Sequence, residues 1–233
     1  MSIESSSALS EEKSSNVEAN DPVSASDPSY YFIEVTGTKT APDPEKWHLH
    51  LVNLSHPLPD DYAPELALIE STGYLYYSAQ AISYLDAMLD AAINDGVSIF
   101  VTSAYRSMSY QQAIYDEEIE YYLNEGYGLV EATNIASSLV AVPGTSEHQL
   151  GLATDIVSPD HPWLYESFED TTAFAWLDEN AHKFGFILRF PKDKTEITRI
   201  AYEPWHYRFV GEEDAIKIKQ LGLCLEEYLD LIP

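Results

Sequence analysis

An α+β fold, with a small and mostly antiparallel sheet flanked by helices, is what this sequence predicts. Helical and strand-like segments are mixed along the chain, without the regular strand–helix–strand spacing that builds a parallel sheet. Apolar side chains recur at helical spacing in several segments. The strand-like segments are short and rich in β-branched or aromatic residues. Because helices and strands do not alternate regularly along the chain, the sequence favours an antiparallel sheet over a parallel one.

The N-terminal half contains one clear helix followed by one clear strand. Residues 78–93 carry apolar side chains on one helical face, and Asp95-Gly96 ends this helix. Residues 97–102 form a β-branched strand that brings Arg106 to its C-terminal end. A serine just after Arg106 then caps a second helix, which runs to about residue 124. Two further strands are expected at residues 30–35 and 47–53.

The C-terminal half predicts a similar mixture. A helix over residues 131–139 is closed by Pro143-Gly144, and an apolar stripe over residues 174–184 predicts a helix that Gly185 stops. The small residues after His148 favour a turn that leads into a short strand. The remaining elements are strands at 186–190 and 200–210 and a last helix at 212–221.

Composition predicts one domain preceded by a tail. Residues 1–29 have almost no large apolar side chains, so they are expected to be a disordered spacer, and residues 30–233 are expected to form the domain. Twelve Lys and Arg against 39 Asp and Glu give a net charge of −27, which argues against binding to nucleic acid or anionic membranes. No membrane span, signal or anchor is visible, and the single cysteine excludes an internal disulfide.

Two histidines and one aspartate have the side-chain chemistry of a zinc site. His148 and Asp155 lie seven residues apart, and Glu203 lies three residues before His206. A catalytic zinc needs three protein ligands, an open position for water and a nearby base. The alternative is that these histidines, like most of the seven in the chain, are surface or core residues. This spacing is less specific than HExxH, so the residues by themselves leave both possibilities open.

Arg106 is isolated in an acidic part of the chain. It is the only Lys or Arg between Lys46 and Lys183. A surface ion pair, which contributes about 0–1 kcal/mol, is one interpretation. The other is a guanidinium held for a carbonyl or carboxylate, which its planar fork suits, and the isolation of Arg106 favours this second interpretation.

Several motifs resemble those of the VanY-type D-alanyl-D-alanine carboxypeptidases, zinc peptidases that trim peptidoglycan stem peptides. The S-x-H-x-x-G-x-A-x-D motif matches Ser146 to Asp155, and the E-x-W-H motif matches Glu203 to His206. The likeness extends to the Ser-Ala-Tyr-Arg-Ser segment that contains Arg106, to Gln111, and to the C-terminal tail. It covers roughly residues 47–231.

The resemblance implies a role for each of these residues. His148, Asp155 and His206 would bind one Zn²⁺, Glu203 would be the catalytic base, and Arg106 would contact the oxyanion and the substrate carbonyl. Ser146 and Gln111 would lie near the substrate. The implied fold is the same α+β fold, with the zinc in a cleft on the sheet.

The implied activity is a zinc-dependent D,D-carboxypeptidase that removes the terminal D-alanine from stem peptides. We expect a monomer that works outside the bacterial cell or in its envelope. An L,D-carboxypeptidase or a D,D-dipeptidase acting on the same stem remains an alternative, as does a non-catalytic wall-binding module. Retention of Glu203 argues against the last, because a structural zinc site needs no base.

Overall fold

A four-stranded antiparallel sheet organises residues 34–232, the part of the chain that the computed structural model describes. Its strands are β3 (Phe100–Ser103), β4 (Ala153–Val157), β5 (Phe186–Leu188) and β6 (His206–Phe209), in the order β3-β4-β6-β5. The central strand β4 is buried along its whole length. A separate hairpin pairs β1 (Leu66–Leu68) with β2 (Tyr76–Ser78). The expected α+β fold with a small antiparallel sheet is confirmed.

Helices surround this sheet. The longer ones are α1 (Ile82–Asn94), α2 (Met108–Asn124), α3 (Leu129–Leu139), α5 (Thr172–Asn180), α7 (Glu212–Leu221) and α8 (Leu225–Leu231). The single-turn helices α4 (Glu147–Leu150) and α6 (Thr195–Thr198) lie in the connections between them. Short 3₁₀ segments occur at Trp47–Leu49, Glu166–Asp170 and Ala181–Phe184.

Two apolar clusters hold the sheet in place. The larger joins Leu85 and Met88 of α1 to Ile156 of β4 and Phe186 of β5. The smaller joins Ile187 of β5 to side chains of α7 and α8, including Ile218 and Tyr228. Because the two faces of β5 bury side chains in different clusters, the C-terminal helices are packed against the same sheet that carries the site.

Some of the expected elements are wrong. Residues 47–53 form no strand: the amides of Leu49 and His50 bond locally to the carbonyls of Lys46 and Trp47, which makes a 3₁₀ turn. The strand expected at 200–210 begins only at His206, because the His206 amide bonds to the Glu203 carbonyl and closes a turn around Pro204. The strand expected at 186–190 ends at Leu188.

Other differences concern elements that were not foreseen. The β1–β2 hairpin and α8 were missed, and the helix that Gly185 stops is a helix followed by a 3₁₀ turn. The spacer expected at residues 1–29, and most of the strand expected at 30–35, lie outside the described residues. None of the described helices combines the length and the apolar character needed to cross a membrane.

Candidate metal centre

Sheet register and one short helix bring the three expected ligands together. Asp155 of β4 is paired directly with His206, the first residue of β6. His148 lies in α4, whose single turn ends at Gly151 with a positive φ of 82°. A Cβ at Gly151 would lie 3.3 Å from the ring of Pro64, so glycine suits both the backbone and the space here. The turn returns the chain to β4 and places His148 beside the sheet.

The ligand atoms form a compact, buried group. One donor atom from each of His148, Asp155 and His206 lies within 4.8 Å of the other two. Oδ1 of Asp155 is 3.3 Å from Nε2 of His148 and 3.2 Å from Nδ1 of His206. This oxygen is buried and has no hydrogen-bond partner among the described residues. An unsatisfied buried carboxylate oxygen facing two imidazole nitrogens fits a divalent cation such as Zn²⁺.

His148 is oriented by a backbone carbonyl. Its Nδ1 lies 2.7 Å from the carbonyl oxygen of Ala104, so Nδ1 carries the proton and donates it. Nε2 is then left with a lone pair directed toward Asp155. Burial, with Arg106 nearby, lowers the pKa of His148 to about 4, which keeps the ring neutral and able to bind a metal.

Unlike His148, which is kept neutral, His206 and Asp155 are both stabilised in their charged forms. Burial lowers the pKa of His206, but the nearby carboxylates of Asp155, Glu147 and Glu203 outweigh burial and raise that pKa well above the ordinary value. Burial also opposes ionisation of Asp155, yet His148, His206 and Arg106 hold the pKa of Asp155 well below its usual range. Three carboxylates therefore stabilise positive charge at His206, either as a proton or as a bound cation.

Glu203 lies beside the ligands in the turn that precedes β6. Its Oε2 is 3.2 Å from Nδ1 of His206, and its side chain is 13% exposed, more than any of the three ligands. Burial raises the pKa of Glu203. A carboxylate with an elevated pKa that faces the cavity can take up a proton and later release it.

Arg106 is half-buried in the site and bound to one of the ligands. Its Nη2 donates to Oδ2 of Asp155 at 2.8 Å, and its Nε donates to Oγ of Ser103 at 3.0 Å. The Arg106 side chain is only 16% exposed, so the interpretation as a surface ion pair is wrong. Its fork fixes the Asp155 carboxylate and leaves Oδ1 for the metal, while the guanidinium also lines the cavity.

Ser146 and Gln111 occupy different positions relative to the cavity. Ser146 caps α4 by accepting the His148 amide proton at 3.3 Å, and it lines the cavity. Gln111 is fully buried in α2, and its Nε2 donates to the Ala141 carbonyl at 2.8 Å. Gln111 therefore lies behind the cavity wall, and only its partner Ala141 belongs to that wall.

A cavity of about 430 Å³ opens over the metal ligands. Polar side chains of the site form one part of its wall, and apolar residues from the segment after α3 form another. Apolar positions of this wall include Val52, Ile114, Leu139, Val140, Phe190 and Trp205. The cavity is large enough for the end of a peptide, with the cation site at its wall.

Behind the ligands lies a buried ionic cluster that the sequence did not predict. Glu147 Oε1 accepts hydrogen bonds from Arg189 Nε at 2.7 Å and from Arg208 Nη1 at 2.8 Å. Arg189 also makes a bidentate pair with Glu226 of α8, at 2.9 and 2.7 Å. The available signal was the position of Glu147 next to His148, but nothing in the spacing identified its arginine partners.

Comparisons with known proteins agree with this geometry. Residues 75–212 match the family model described as VanY, D-alanyl-D-alanine carboxypeptidase. A D-alanyl-D-alanine carboxypeptidase of Enterococcus faecalis is 46% identical over 188 residues, which is 81% of this chain and 68% of the relative. A putative carboxypeptidase of Bacillus subtilis, YodJ, is 38% identical over 216 residues, covering 88% of this chain and 76% of the relative.

Solved structures give the same result. VanYB in complex with D-alanine-D-alanine superposes with a TM-score of 0.72 at 47% identity, covering 79% of this chain and 98% of the other. A VanY D,D-pentapeptidase from a VanB-type resistance cassette, in complex with Zn(II), gives 0.71 at 48% identity, with 78% and 99% covered. The expectation of a zinc carboxypeptidase is confirmed, and the chain belongs to the VanY family of D-alanyl-D-alanine carboxypeptidases.

Proposed function

We propose that this chain is a zinc D,D-carboxypeptidase that hydrolyses the terminal D-alanine from peptidoglycan stem peptides ending in D-Ala-D-Ala. The observation that carries the proposal is the buried trio of His148, Asp155 and His206, with Glu203 beside it and a cavity above it. The relatives with a D,D-carboxypeptidase name or a D-Ala-D-Ala ligand support the choice of substrate.

Nε2 of His148, Oδ1 of Asp155 and Nδ1 of His206 would hold the zinc. Bound zinc supplies Lewis-acid chemistry, since it polarises a carbonyl and lowers the pKa of a water ligand to about 7. The protein's own contribution is to fix these three atoms: the Ala104 carbonyl orients His148, and Arg106 orients Asp155. Pre-arranged ligands reduce the cost of ordering the site when the cation and the substrate bind.

Glu203 would serve as the general base and then as the general acid. Its carboxylate takes the proton of the attacking water and passes it to the nitrogen of the departing D-alanine. Its raised pKa, caused first by burial, favours both halves of this transfer over an ordinary carboxylate. Its greater exposure relative to the ligands gives it access to the cavity.

Arg106 would donate to the scissile carbonyl oxygen as negative charge develops there. The guanidinium has five N–H donors, which is more than its contacts with Asp155 and Ser103 use. Ser146, in the cavity wall, would contact the substrate and keep the His148 segment in place. Gln111 would act indirectly, by holding the Ala141 segment of the wall.

A second candidate is an L,D-carboxypeptidase or a D,D-dipeptidase with the same zinc chemistry. An LD-carboxypeptidase structure named LdcB is 36% identical, with a TM-score of 0.66, and a D,D-dipeptidase complex is 30% identical, with a TM-score of 0.67. Both identities are lower than the 47–48% of the VanY structures, which favours the D,D-carboxypeptidase.

Mass spectrometry of digests of a defined pentapeptide and a defined tetrapeptide stem would test the assignment. A D,D-carboxypeptidase removes one alanine from the pentapeptide and leaves the tetrapeptide intact. Removal of a dipeptide would indicate the D,D-dipeptidase, and cleavage of the tetrapeptide would indicate the L,D-carboxypeptidase. If the zinc-loaded protein left both the pentapeptide and the tetrapeptide intact, the non-catalytic wall-binding module would be favoured.

The substrate also sets the expected location and assembly. Peptidoglycan lies outside the cytoplasmic membrane, so we propose that the chain works in the cell envelope or outside the cell. We further propose that it acts as a monomer, because the three ligands, Glu203 and Arg106 already meet within a single chain.

A further inference from the structure

The two oxygens of Glu147 have different surroundings. Oε1 accepts hydrogen bonds from both Arg189 and Arg208. Oε2 is buried, makes no hydrogen bond with the described residues, and lies 3.8 Å from Nε2 of His206. That imidazole nitrogen is also buried and has no hydrogen-bond partner within residues 34–232. At 3.8 Å the two atoms lie just beyond hydrogen-bonding distance, and neither has another partner among the described residues.

We propose that Glu147 is a positioning residue for His206: its Oε2 accepts a hydrogen bond from the Nε2–H of His206, so that the Nδ1 lone pair is presented to the metal. A metal-binding histidine generally donates its second ring N–H to a carboxylate or a carbonyl. His148 meets this requirement through the Ala104 carbonyl. Glu147 is the corresponding partner for His206, and no motif or comparison above assigns it that role.

The two arginines keep the Glu147 carboxylate in place. Arg189 and Arg208 are 1% and 0% exposed, and both donate to the same carboxylate oxygen. Arg208 is fixed further by the carbonyls of His48 and His50, at 3.0 and 2.9 Å. Because both guanidiniums engage Oε1, the carboxylate cannot turn away from His206 without breaking a buried charged bond.

Burying the charged groups of this cluster costs desolvation free energy. Buried ion pairs are often no more stabilising than apolar side chains of similar volume. Two buried guanidiniums around one carboxylate are therefore better explained by a requirement for orientation than by stability alone. The carboxylate is directed at a metal ligand, which identifies the group that needs orienting.

The most informative comparison is between Glu147→Gln and Glu226→Gln. Each variant removes one carboxylate partner of Arg189, but only Glu147 also faces His206. Zinc affinity would be measured by competition with a chromophoric chelator, at about pH 7 and about pH 8.5 so that proton competition is separated from orientation. Thermal melting of the metal-free protein would report stability independently.

We expect Glu147→Gln to bind zinc about 10–100-fold more weakly at both pH values, and Glu226→Gln to keep its affinity within about threefold while melting at a lower temperature. Equal zinc affinity in wild type and Glu147→Gln, or an equal loss in the two variants, would overturn the positioning role. If Glu147→Gln does not fold, Glu147→Asp keeps a negative charge beside the arginines but is one methylene shorter toward His206, and the same loss is expected.

This inference rests on the zinc site of the proposed function but not on the identity of the peptide substrate. The two can fail separately. A wild-type protein that binds no zinc would remove the metal assignment itself. A wild-type protein that binds zinc tightly, together with an unaltered Glu147→Gln, would remove only the role of Glu147.

Discussion

The metal-facing side of the site differs in its hydrogen bonding from the buried ionic cluster behind it. This arginine cluster consists of Glu147, Arg189, Arg208 and Glu226. On one side, Oδ1 of Asp155 faces His148, His206 and a cavity, and it has no hydrogen-bond partner in the described part of the chain. On the other side, two arginines saturate one oxygen of Glu147 in the interior. Since Glu147 and His148 are adjacent in sequence, one turn of helix supplies both sides.

This difference suggests separate roles: the metal-facing side carries out the chemistry, and the arginine cluster keeps the site rigid. The metal-facing side keeps ligand atoms without hydrogen-bond partners among the described residues, which a cation can use. The two arginines of the cluster instead use most of their N–H donors within the protein. A change on the first side should therefore affect turnover, whereas a change on the second should affect stability or metal binding.

Glu203→Ala should have the largest effect, because it removes the proton carrier from the metal-facing side. Turnover is expected to fall about 10²–10⁴-fold while zinc content and the fold are retained. Rates on a D-Ala-D-Ala peptide and metal content would be measured on the same preparation. Loss of metal, with residual activity in proportion to bound zinc, would instead make Glu203 a ligand.

Arg106→Lys should lose nearly as much turnover as Glu203→Ala. A lysine has a point charge on a flexible stem and cannot bond Asp155, Ser103 and a substrate oxygen together. A fall of about two to three decades, mainly in kcat, is expected if the residue serves the oxyanion. Steady-state kinetics of Arg106→Lys and Arg106→Ala would test this. A change confined to KM would limit Arg106 to ground-state binding.

Glu226→Gln tests the arginine cluster separately, because Glu226 bonds to Arg189 and not to a metal ligand. Removing the bidentate partner of the buried Arg189 should lower the free energy of unfolding by about 3 kcal/mol. The matched control is Asp178→Asn, which breaks an exposed pair with Lys219 and should cost less than about 1 kcal/mol. Denaturant unfolding of the three proteins would show it, and equal stabilities would mean that the cluster is not needed for folding.

Zinc affinity should depend on pH in a way that identifies His206. The raised pKa of His206 means that a proton competes with zinc above the range of an ordinary histidine. Because a protonated ring cannot bind a metal, the apparent affinity should rise about tenfold per pH unit, and this rise should continue above the pH range in which an ordinary histidine loses its proton. Calorimetric titration across pH would measure it. An affinity that is flat above about pH 7 would indicate an ordinary histidine.

The sequence predicted the metal-facing side because its residues lie in short motifs. His148 and Asp155 are separated by one turn and one glycine, and Glu203 and His206 by one proline turn, so local spacing already limits their geometry. The sheet register that pairs Asp155 with His206 is long-range, and the family resemblance, not the spacing, supplied that link.

The arginine cluster could not be predicted in this way. Glu147, Arg189, Arg208 and Glu226 come from four separate elements or loops, and their pairing depends on how α4, β6, α8 and the segment after β5 come together. The strand expected at residues 47–53 failed for a related reason. The His48 and His50 carbonyls accept from Arg208, a tertiary contact that alternation cannot reveal.

Metal content tests the central claim most directly, since every assignment above depends on one zinc held by His148, Asp155 and His206. Protein purified without added metal should contain about one equivalent of zinc per chain. The double variant His148→Ala/His206→Ala should contain almost none and should have a similar far-UV circular dichroism spectrum. Stoichiometric zinc in that double variant would contradict the account.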